Sequence, residues 1–181
     1  EGETPLYIAS KLCYVEIVKM LITAGCDVNI CNKLGETPLY VASRSGYANV
    51  ARKLIEAGCD VDIPNVSWQT PLFIASAGGH VQIVRDLINN NCNLNAQNKF
   101  QGKTALYIAS DHSHLDVVRE LIAAGCNVDM SDSEGKTPLQ IARFRDDEDV
   151  VRELIRAGHF FAFTMGTHRR LGVNNPSLMA L

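Results

Sequence analysis

The phrase Gly2-Glu3-Thr4-Pro5-Leu6-Tyr7 lies at the start of the chain and returns four more times, in full or in part. The second copy is Gly35-Glu36-Thr37-Pro38-Leu39-Tyr40, and weaker copies occur at 69–73, 102–107 and 135–140. Its threonine recurs at 4, 37, 70, 104 and 137, in steps of 33, 33, 34 and 33 residues. A fixed period of this length is typical of a solenoid, in which each unit packs on its neighbours.

Each copy of the phrase predicts the start of a helix. The threonine hydroxyl can accept a hydrogen bond from a free amide of the first helical turn, and the proline that follows has no amide to leave unpaired. Thr104-Ala105 lacks this proline, and the other four copies have it. A second amphipathic pattern follows each copy, such as Val15-Glu16-Ile17-Val18 in the first.

The sequence therefore predicts helix–turn–helix pairs. The helices are expected near 5–12, 15–24, 38–45, 48–57, 71–78, 81–90, 105–112, 115–124 and 148–157, with one more beginning at Thr137-Pro138. A left-handed residue is expected just after each second helix, where glycine or asparagine is the most tolerant choice. These residues are Gly25, Gly58, Asn91, Gly125 and Gly158.

The recurring pattern resembles the ankyrin repeat. Thr-Pro-Leu, Ala-Ser, Val-Val or Ile-Val, Leu-Ile and Ala-Gly-Cys-Asp-Val-Asn recur in register over residues 2–158. The resemblance implies an all-α solenoid of helix–turn–helix units with finger loops projecting at one side. We expect an array of five repeats followed by a tail that either caps the array or links it to another domain. The repeats are 2–34, 35–67, 68–101, 102–134 and 135–158, and the tail is 159–181.

Both ends of the chain depart from the repeat. After Gly158, the stretch His159-Phe160-Phe161-Ala162-Phe163 replaces the usual Cys-Asp-Val-Asn, and we expect its three phenylalanines to cover the open end of the stack. Glu148 replaces an apolar residue of the earlier repeats, as expected of a capping repeat. Because the chain begins inside a repeat and without a methionine, we expect it to be cut from a longer protein.

Composition and motifs argue against several classes of function. A formal charge of −3 gives no basic field for nucleic acid, and no apolar run is long enough to cross a bilayer. There is no nucleophile motif, glycine-rich phosphate loop or meaningful carboxylate pair, and His112-x-His114 is an isolated hint of a metal site. We therefore expect no enzyme activity, no cofactor, no metal, no nucleic acid and no membrane insertion.

Four of the six cysteines occupy one position of the repeat and form a column, namely Cys26, Cys59, Cys92 and Cys126. Stacked helices lie about 8–10 Å apart, whereas a disulfide needs Cα atoms within about 7 Å. We expect buried, unpaired thiols in this column. Reduced thiols favour a cytoplasmic protein, with the nucleus as the alternative.

Two fingers depart from the family pattern. Trp68 stands where the family has a glycine, so we expect the finger Pro64-Asn65-Val66-Ser67 to turn differently. Gln101 is one extra residue in the next finger and produces the 34-residue step.

The residue after Thr-Pro-Leu also departs from the family, which usually has a histidine there that ties neighbouring repeats by hydrogen bonds. This chain has Tyr7, Tyr40, Phe73, Tyr107 and Gln140. The aromatic rings either pack between repeats or face the groove. Phe73 has no group that can make such a hydrogen bond.

The resemblance implies a non-catalytic scaffold or adaptor that binds another protein or peptide in a groove lined by the fingers and the inner helices. We expect a monomer, with Trp68 as an anchor for the partner. The alternative is that Trp68 folds onto repeats two and three as core. The predicted binding residues are Lys33, Leu34, Glu36, Arg44, Val66, Trp68, Gln69, Lys99, Phe100, Lys103, Asp111, His112, Lys136, Phe144 and Arg145.

Other roles are also consistent with the sequence. The stretch 175–181 is faintly similar to the opening of a SOCS box, which would make the array the substrate receptor of a ubiquitin ligase, and the repeats could also target a catalytic domain. The stretch 21–29 reads Leu-x5-Asp-Val-Asn, similar to ankyrin sites of an oxygen-dependent asparaginyl hydroxylase. Asn29 is the better candidate and Asn95 the looser one. The alternative is that both only stabilise the finger turn.

Overall fold

A computed structural model describes residues 2–158, and all regular structure in that segment is helical. The helices are α1 Pro5–Lys11, α2 Val15–Thr23, α3 Pro38–Ser45, α4 Ala48–Glu56, α5 Pro71–Ala77, α6 Val81–Asn89, α7 Ala105–Asp111, α8 Leu115–Ala123 and α9 Pro138–Phe144. A tenth helix, α10, covers 148–158. The predicted helix–turn–helix pairs are confirmed. The capping or linking role of the tail and the SOCS-like stretch lie outside the described residues.

The first helix of each pair, the inner helix, begins at the predicted threonine. Thr4 Oγ1 accepts a hydrogen bond from the amide of Tyr7 at 3.1 Å, and the same bond recurs in the other four pairs. The side chain of Gln140 also accepts a bond from the amide of Thr137 at 2.8 Å, which completes a capping box. Because Thr104 makes the same bond to the amide of Tyr107, the helix that begins at Ala105 starts normally without a proline.

The inner helices form one row and the outer helices form a second row. Each inner helix from α1 to α9 contacts the inner helix of the next pair, and the outer helices α2 to α8 do the same. Leucines from both rows fill the space between the rows and are at most 2% exposed, among them Leu6, Leu39, Leu54 and Leu87. Each such leucine contributes about 1.5–3 kcal/mol relative to an exposed one.

The left-handed residues that end the outer helices lie where the sequence predicts them, with one exception. Gly25, Gly58, Asn91 and Gly125 have φ between 58° and 84°. Gly158 is still helical, so that prediction is wrong. Its helix is followed by a sequence without the Cys-Asp-Val phrase that leads the other outer helices into a finger.

The aromatic side chains at the position after Thr-Pro-Leu pack between the repeats rather than facing the groove. Tyr7, Tyr40, Phe73 and Tyr107 are 1–4% exposed. The hydroxyl of Tyr7 donates to Glu36 Oε2 of the next repeat at 2.6 Å. That of Tyr40 donates to Gln69 Oε1 at 3.1 Å, so both tyrosines make the inter-repeat hydrogen bond that the family makes with histidine.

Phe73 makes no such bond, as expected, and histidines bond repeats three and four at the other end of α5. The ring nitrogens His112 Nδ1 and His114 Nε2 lie 2.8 and 3.1 Å from the backbone oxygen of Ala77, at the end of α5. One carbonyl therefore joins repeats three and four through two imidazole rings.

Glu36, at the end of the loop that leads into α3, is a buried acid that is 5% exposed. Burial alone would favour its neutral form. Hydrogen bonds from Tyr7 and Asn32, together with the Arg44 guanidinium, outweigh this effect and lower the pKa of Glu36. Burial and the same carboxylate raise the pKa of Tyr7 to about 12. The junction between repeats one and two therefore contains a buried charge with three partners.

Three of the four column cysteines are buried, and none of the six cysteines forms a disulfide. Cys59, Cys92 and Cys126 are at most 8% exposed, whereas Cys26 is exposed, so the prediction is wrong for the first repeat. A cysteine of the column is buried only where another repeat precedes its own repeat. Residues 2–158 contain no repeat before repeat one. Ile17 shows the same effect, at 46% exposed against 0% for Ile83.

Thiol titration should separate the cysteines into two classes. In the native protein, Cys13, Cys26 and Cys31 should react fast. The other three should react slowly, because burial raises the pKa of each buried thiol to about 12 and leaves little thiolate. All six should react after denaturation. A variant with serine at 13, 26 and 31 should lose only the fast phase. A fourth fast thiol, or a mobility shift on a non-reducing gel, would contradict this arrangement.

Replacement Tyr7→Phe should destabilise the array by about 1.5–3 kcal/mol at neutral pH, because it removes a hydrogen bond to a buried charge. Since the pKa of Glu36 is lowered, its charge stabilises the fold above the unfolded value of 4.5, and that contribution is lost as the pH falls through the lower folded value. The difference between wild type and variant should therefore shrink in acid. Urea unfolding at several pH values measures it.

Tyr40→Phe is the matched control for this replacement. It removes the bonds of the Tyr40 hydroxyl to two neutral groups, Gln69 Oε1 and Asn65 Nδ2, at about 0.5–1.5 kcal/mol for each bond, and this cost should not change in the same acidic window. A cost of Tyr7→Phe that stays constant through that window, as the cost of Tyr40→Phe should, would show that the Glu36 charge does not contribute.

Candidate functional site

Four fingers project between the repeats, and each is closed by a backbone hydrogen bond. We name them finger one (32–36), finger two (65–69), finger three (98–103) and finger four (132–136), after the residues that each bond joins. Neighbouring tips are also bonded to each other. The donors are the amides of Val66, Lys99 and Ser133, and the acceptors are the carbonyls of Leu34, Ser67 and Gln101, at 2.9, 3.0 and 2.8 Å.

Trp68 adopts the left-handed conformation of the glycine that it replaces. Its φ is 58°, and its amide donates to the carbonyl of Asn65 at 2.9 Å. Gly35 has a φ of 73° and makes the equivalent bond to Asn32 at 3.0 Å. The prediction that this finger turns differently is therefore wrong. A left-handed residue with a Cβ costs about 1–2 kcal/mol, so the departure from the pattern appears as backbone strain.

An asparagine holds each of these turns in place. Asn65 Oδ1 accepts hydrogen bonds from the amides of Ser67 and Gln69 at 2.9 and 3.0 Å. Asn32 Oδ1 makes the same two bonds in finger one. Because these bonds fix the residues on both sides of Trp68, its backbone has little freedom to relax.

The extra residue of finger three is Phe100 rather than Gln101. The amide of Lys99 bonds to finger two as that of Val66 bonds to finger one, and the carbonyl of Gln101 bonds to finger four as that of Ser67 bonds to finger three. Lys99 and Gln101 thus take the two regular tip positions. Phe100 lies between them as the insertion and is 72% exposed.

Trp68, Lys99 and Phe100 form a cluster at the tips of fingers two and three, which we call the aromatic cluster. The indole of Trp68 is 57% exposed, so it is not part of the core. The ammonium of Lys99 lies 5.7 Å from the centroid of each of the two rings, within cation–π range.

A cavity of about 290 Å³ lies beside Trp68. Residues on both sides of the junction between fingers two and three line it, namely Asp62, Pro64, Trp68, Thr70, Asn93, Ala96 and Gln97. Apart from Trp68, none of these residues is among the predicted site residues. No sequence motif marks them, and only their position beside the Trp68 departure and the insertion could have indicated them.

Fingers one and three have glycine, Gly35 and Gly102, at the position that Trp68 occupies in finger two. The surroundings of Gly35 show why the tips of fingers two and three differ from the rest. A Cβ on Gly35 would lie 3.0 Å from the amide nitrogen of Val66 and 3.1 Å from the Cα of Asn65. Neighbouring fingers are therefore too close for a side chain at this position. Trp68 brings a side chain to the same position of finger two, and finger three is the finger that carries the inserted residue.

The other predicted binding residues are mostly accessible. Exposed members are Lys33, Leu34, Arg44, Val66, His112, Lys136, Phe144 and Arg145. Gln69, Lys103 and Asp111 are half-buried. Glu36 is the exception, because its carboxylate is buried and bonded to Tyr7, Asn32 and Arg44. It has little surface left for a partner, and the prediction is wrong in placing it on the open surface.

Charges at the rim of the groove are mostly paired within the chain. Arg145 lies 2.7 Å from Asp111, and Lys103 lies 3.9 Å from the same carboxylate. Lys136 pairs with Glu134 at 2.8 Å. His112, a further predicted binding residue, is bonded to the backbone of α5 as described above.

Asn29 and Asn95 both join neighbouring repeats. Asn29 Oδ1 accepts a hydrogen bond from the amide of Asp60 at 2.9 Å, and Asn95 Oδ1 accepts one from Asn127 at 2.8 Å. Asp62 makes the equivalent bonds to the amide of Asn93. These contacts support a stabilising role for both asparagines, which does not depend on hydroxylation.

Metal sites and membrane spans are two further possibilities for residues 2–158. That segment contains no group of three or more His, Cys, Asp or Glu side chains placed to hold a metal ion. Every helix in it is too short or too polar to serve as a bilayer span.

Comparison with protein families gives a consistent result. A family described as ankyrin repeats (3 copies) matches residues 1–65 and 72–164, and one described as ankyrin repeats (many copies) matches 49–88. No curated protein matches the chain. Ankyrin repeats are generally protein–protein interaction modules and are typically non-catalytic. The first match covers most of the sequence and agrees with the paired helices and fingers, so this chain belongs to the ankyrin repeat family.

Proposed function

We propose that this protein is a scaffold or adaptor that binds a partner protein at its finger tips, with Trp68 and Phe100 as the anchors. The observation that carries the proposal is the strained and exposed conformation of Trp68. Glycine would fill this position without strain, and an indole that is 57% exposed contributes little to the core. Backbone strain clusters at functional sites. Cys13, Ser113 and Asp146 are also left-handed, so it is the exposed indole at such a position that distinguishes Trp68.

The surroundings of Trp68 suit an anchor. Interfaces concentrate their energy in a few aromatic and arginine residues. Trp68 is flanked by a second exposed ring, Phe100, and by a cavity of about 290 Å³ that has room for a side chain of the partner. The hydrogen bonds between finger tips fix the backbone that carries both rings before a partner arrives, which reduces the entropy lost on binding.

The outer face of the array is a weaker candidate. Its arginines pair with acids of the next repeat, at 3.2 Å for Arg52 and Asp86 and 2.7 Å for Arg85 and Glu120. These charges already have partners within the chain. A cytoplasmic location is part of the proposal, and six unpaired cysteines support it.

We also propose that Asn29 is accessible to an asparaginyl hydroxylase. Asn29 belongs to repeat one, whose Ile17 and Cys26 are exposed, so this repeat is held from one side only within the described residues. Local opening there should release the Asn29 side chain more readily than that of Asn95, which lies in the middle of the array.

Replacement Trp68→Gly tests the anchor. The variant should melt at the same or a slightly higher temperature, because it removes about 1–2 kcal/mol of left-handed strain, partly offset by the greater freedom of glycine in the unfolded chain. We expect peptides selected from a random library for binding to the wild type to bind this variant tenfold or more weakly, a loss of about 1.4 kcal/mol or more of binding free energy. Calorimetry gives both quantities.

Tyr14→Ala is the control, because Tyr14 is 52% exposed but lies in repeat one, away from the aromatic cluster. It should bind as the wild type does. Full-strength binding by Trp68→Gly, or early melting of that variant, would show that Trp68 is not the anchor.

Incubation with an ankyrin-directed asparaginyl hydroxylase should add one oxygen atom to Asn29 before Asn95, as measured by mass spectrometry of peptides. Asp62 is the internal control, because it occupies the equivalent position with a carboxylate and should stay unmodified. No oxygen on Asn29, under conditions that modify another ankyrin protein, would exclude the site.

A further inference from the structure

The charges at the finger tips are unevenly distributed. Lys33 on finger one and Lys99 on finger three are both exposed, and neither forms an ion pair with any residue of the segment 2–158. Finger two, between them, has no charged residue at its tip, where Val66 and Trp68 are 54% and 57% exposed. The tips of fingers one to three therefore present a cation, an apolar centre and a second cation.

The acids near these fingers do not neutralise the two lysines. Glu36 is buried and pairs with Arg44, and Glu134 pairs with Lys136 on finger four. Asp62, which lines the cavity beside Trp68, accepts hydrogen bonds from the amide of Asn93 at 2.9 and 3.0 Å and pairs with neither lysine. Asp111 is held by Arg145 and Lys103. The contacts of Lys99 are the two cation–π interactions of the aromatic cluster, which leave its ammonium accessible for a carboxylate.

We propose that the partner presents an acidic and apolar segment to the fingers, with one carboxylate for Lys33, another for Lys99, and an apolar side chain between them against Trp68. This inference rests on the proposed binding function and names the chemistry of the partner. Opposite charges at the rim steer the encounter and fix the register, while the apolar centre supplies most of the affinity.

The spacing of the fingers sets the spacing of the acids. Neighbouring repeats lie about 8–10 Å apart, so Lys33 and Lys99, two repeats apart, are separated by about 16–20 Å. An extended chain advances about 3.3–3.6 Å per residue. The two acids of the segment should therefore lie about five or six residues apart, with the apolar residue near the middle.

Carboxylates are favoured over phosphates and over nucleic acid. Bidentate recognition of phosphate favours the planar fork of arginine, whereas the unpaired cations on these tips are lysines, which act as single point charges and suit one carboxylate each. Single-stranded nucleic acid would stack on the aromatic rings, but it also requires a basic groove along its backbone. A formal charge of −3 and two unpaired lysines do not provide such a groove.

Selection from a displayed library of random peptides on the full chain tests the proposal. Enriched peptides should carry two Asp or Glu residues about five or six positions apart around a large apolar residue, and their binding should weaken as salt rises. Neutral or basic peptides, or no enrichment at all, would overturn the proposal. Tighter binding of a single-stranded oligonucleotide, lost in Lys99→Glu, would replace it with a nucleic-acid site.

Charge reversal gives the sharper readout. The double variant Lys33→Glu, Lys99→Glu should bind the selected peptides at least about tenfold more weakly, and the same peptides with lysine in place of their acids should recover binding to that variant. The double variant Lys19→Glu, Lys53→Glu makes the same charge change on the outer helices α2 and α4 and should have no effect. Failure of the charge swap while Trp68→Gly still abolishes binding would refute the acidic segment alone. Binding that survives Trp68→Gly would refute the surface itself.

Discussion

The hydrogen bonds between neighbouring finger tips are the constraint on which the rest of the molecule depends. Each joins an amide of one tip to a carbonyl of the tip before it, at 2.8–3.0 Å. They hold successive repeats at a fixed step and bring the fingers so close that a side chain at Gly35 would meet the backbone of finger two. The tip side chains consequently stand in a row on a rigid backbone, which is the arrangement that a binding surface needs.

Trp68 and Phe100 are best understood as one change in the structure rather than two. At the equivalent position of finger one, Gly35 has no room for a Cβ beside finger two. Trp68 places a Cβ at this position of finger two, and the finger that faces it, finger three, carries the inserted Phe100. A cavity lined by residues from both sides of that junction lies beside the indole. The bond from the amide of Lys99 to Ser67 is nevertheless kept at 3.0 Å, so the insertion changes the tip without separating the fingers.

The helices could be predicted from the sequence because threonine caps, proline and apolar spacing act locally and recur in register. The predictions that were wrong concern contacts between repeats, which a local pattern does not reveal. Trp68 is predicted to change its turn, but the two hydrogen bonds that Asn65 Oδ1 accepts, from the amides of Ser67 and Gln69, impose the left-handed backbone. Phe100 could be identified as the insertion only from the bonds between fingers, and Cys26 only from what covers it. The left-handed conformation of Cys13, Ser113 and Asp146 was not predicted, although the same position of repeats two and three holds glycine, at Gly46 and Gly79. Within the site, exposure could not be read from residue type, so Glu36 was misplaced.

Since Trp68 is the only tryptophan of the chain, the protein has a single indole fluorophore, and it stands on the surface at the tip of a finger. Its emission is therefore governed by the solvent and by the Lys99 ammonium at 5.7 Å, rather than by the packing of the helices. Unfolding changes the environment of a half-exposed indole less than that of a buried one. Intrinsic fluorescence is accordingly an optical probe of what touches finger two, and a poor measure of whether the array is folded.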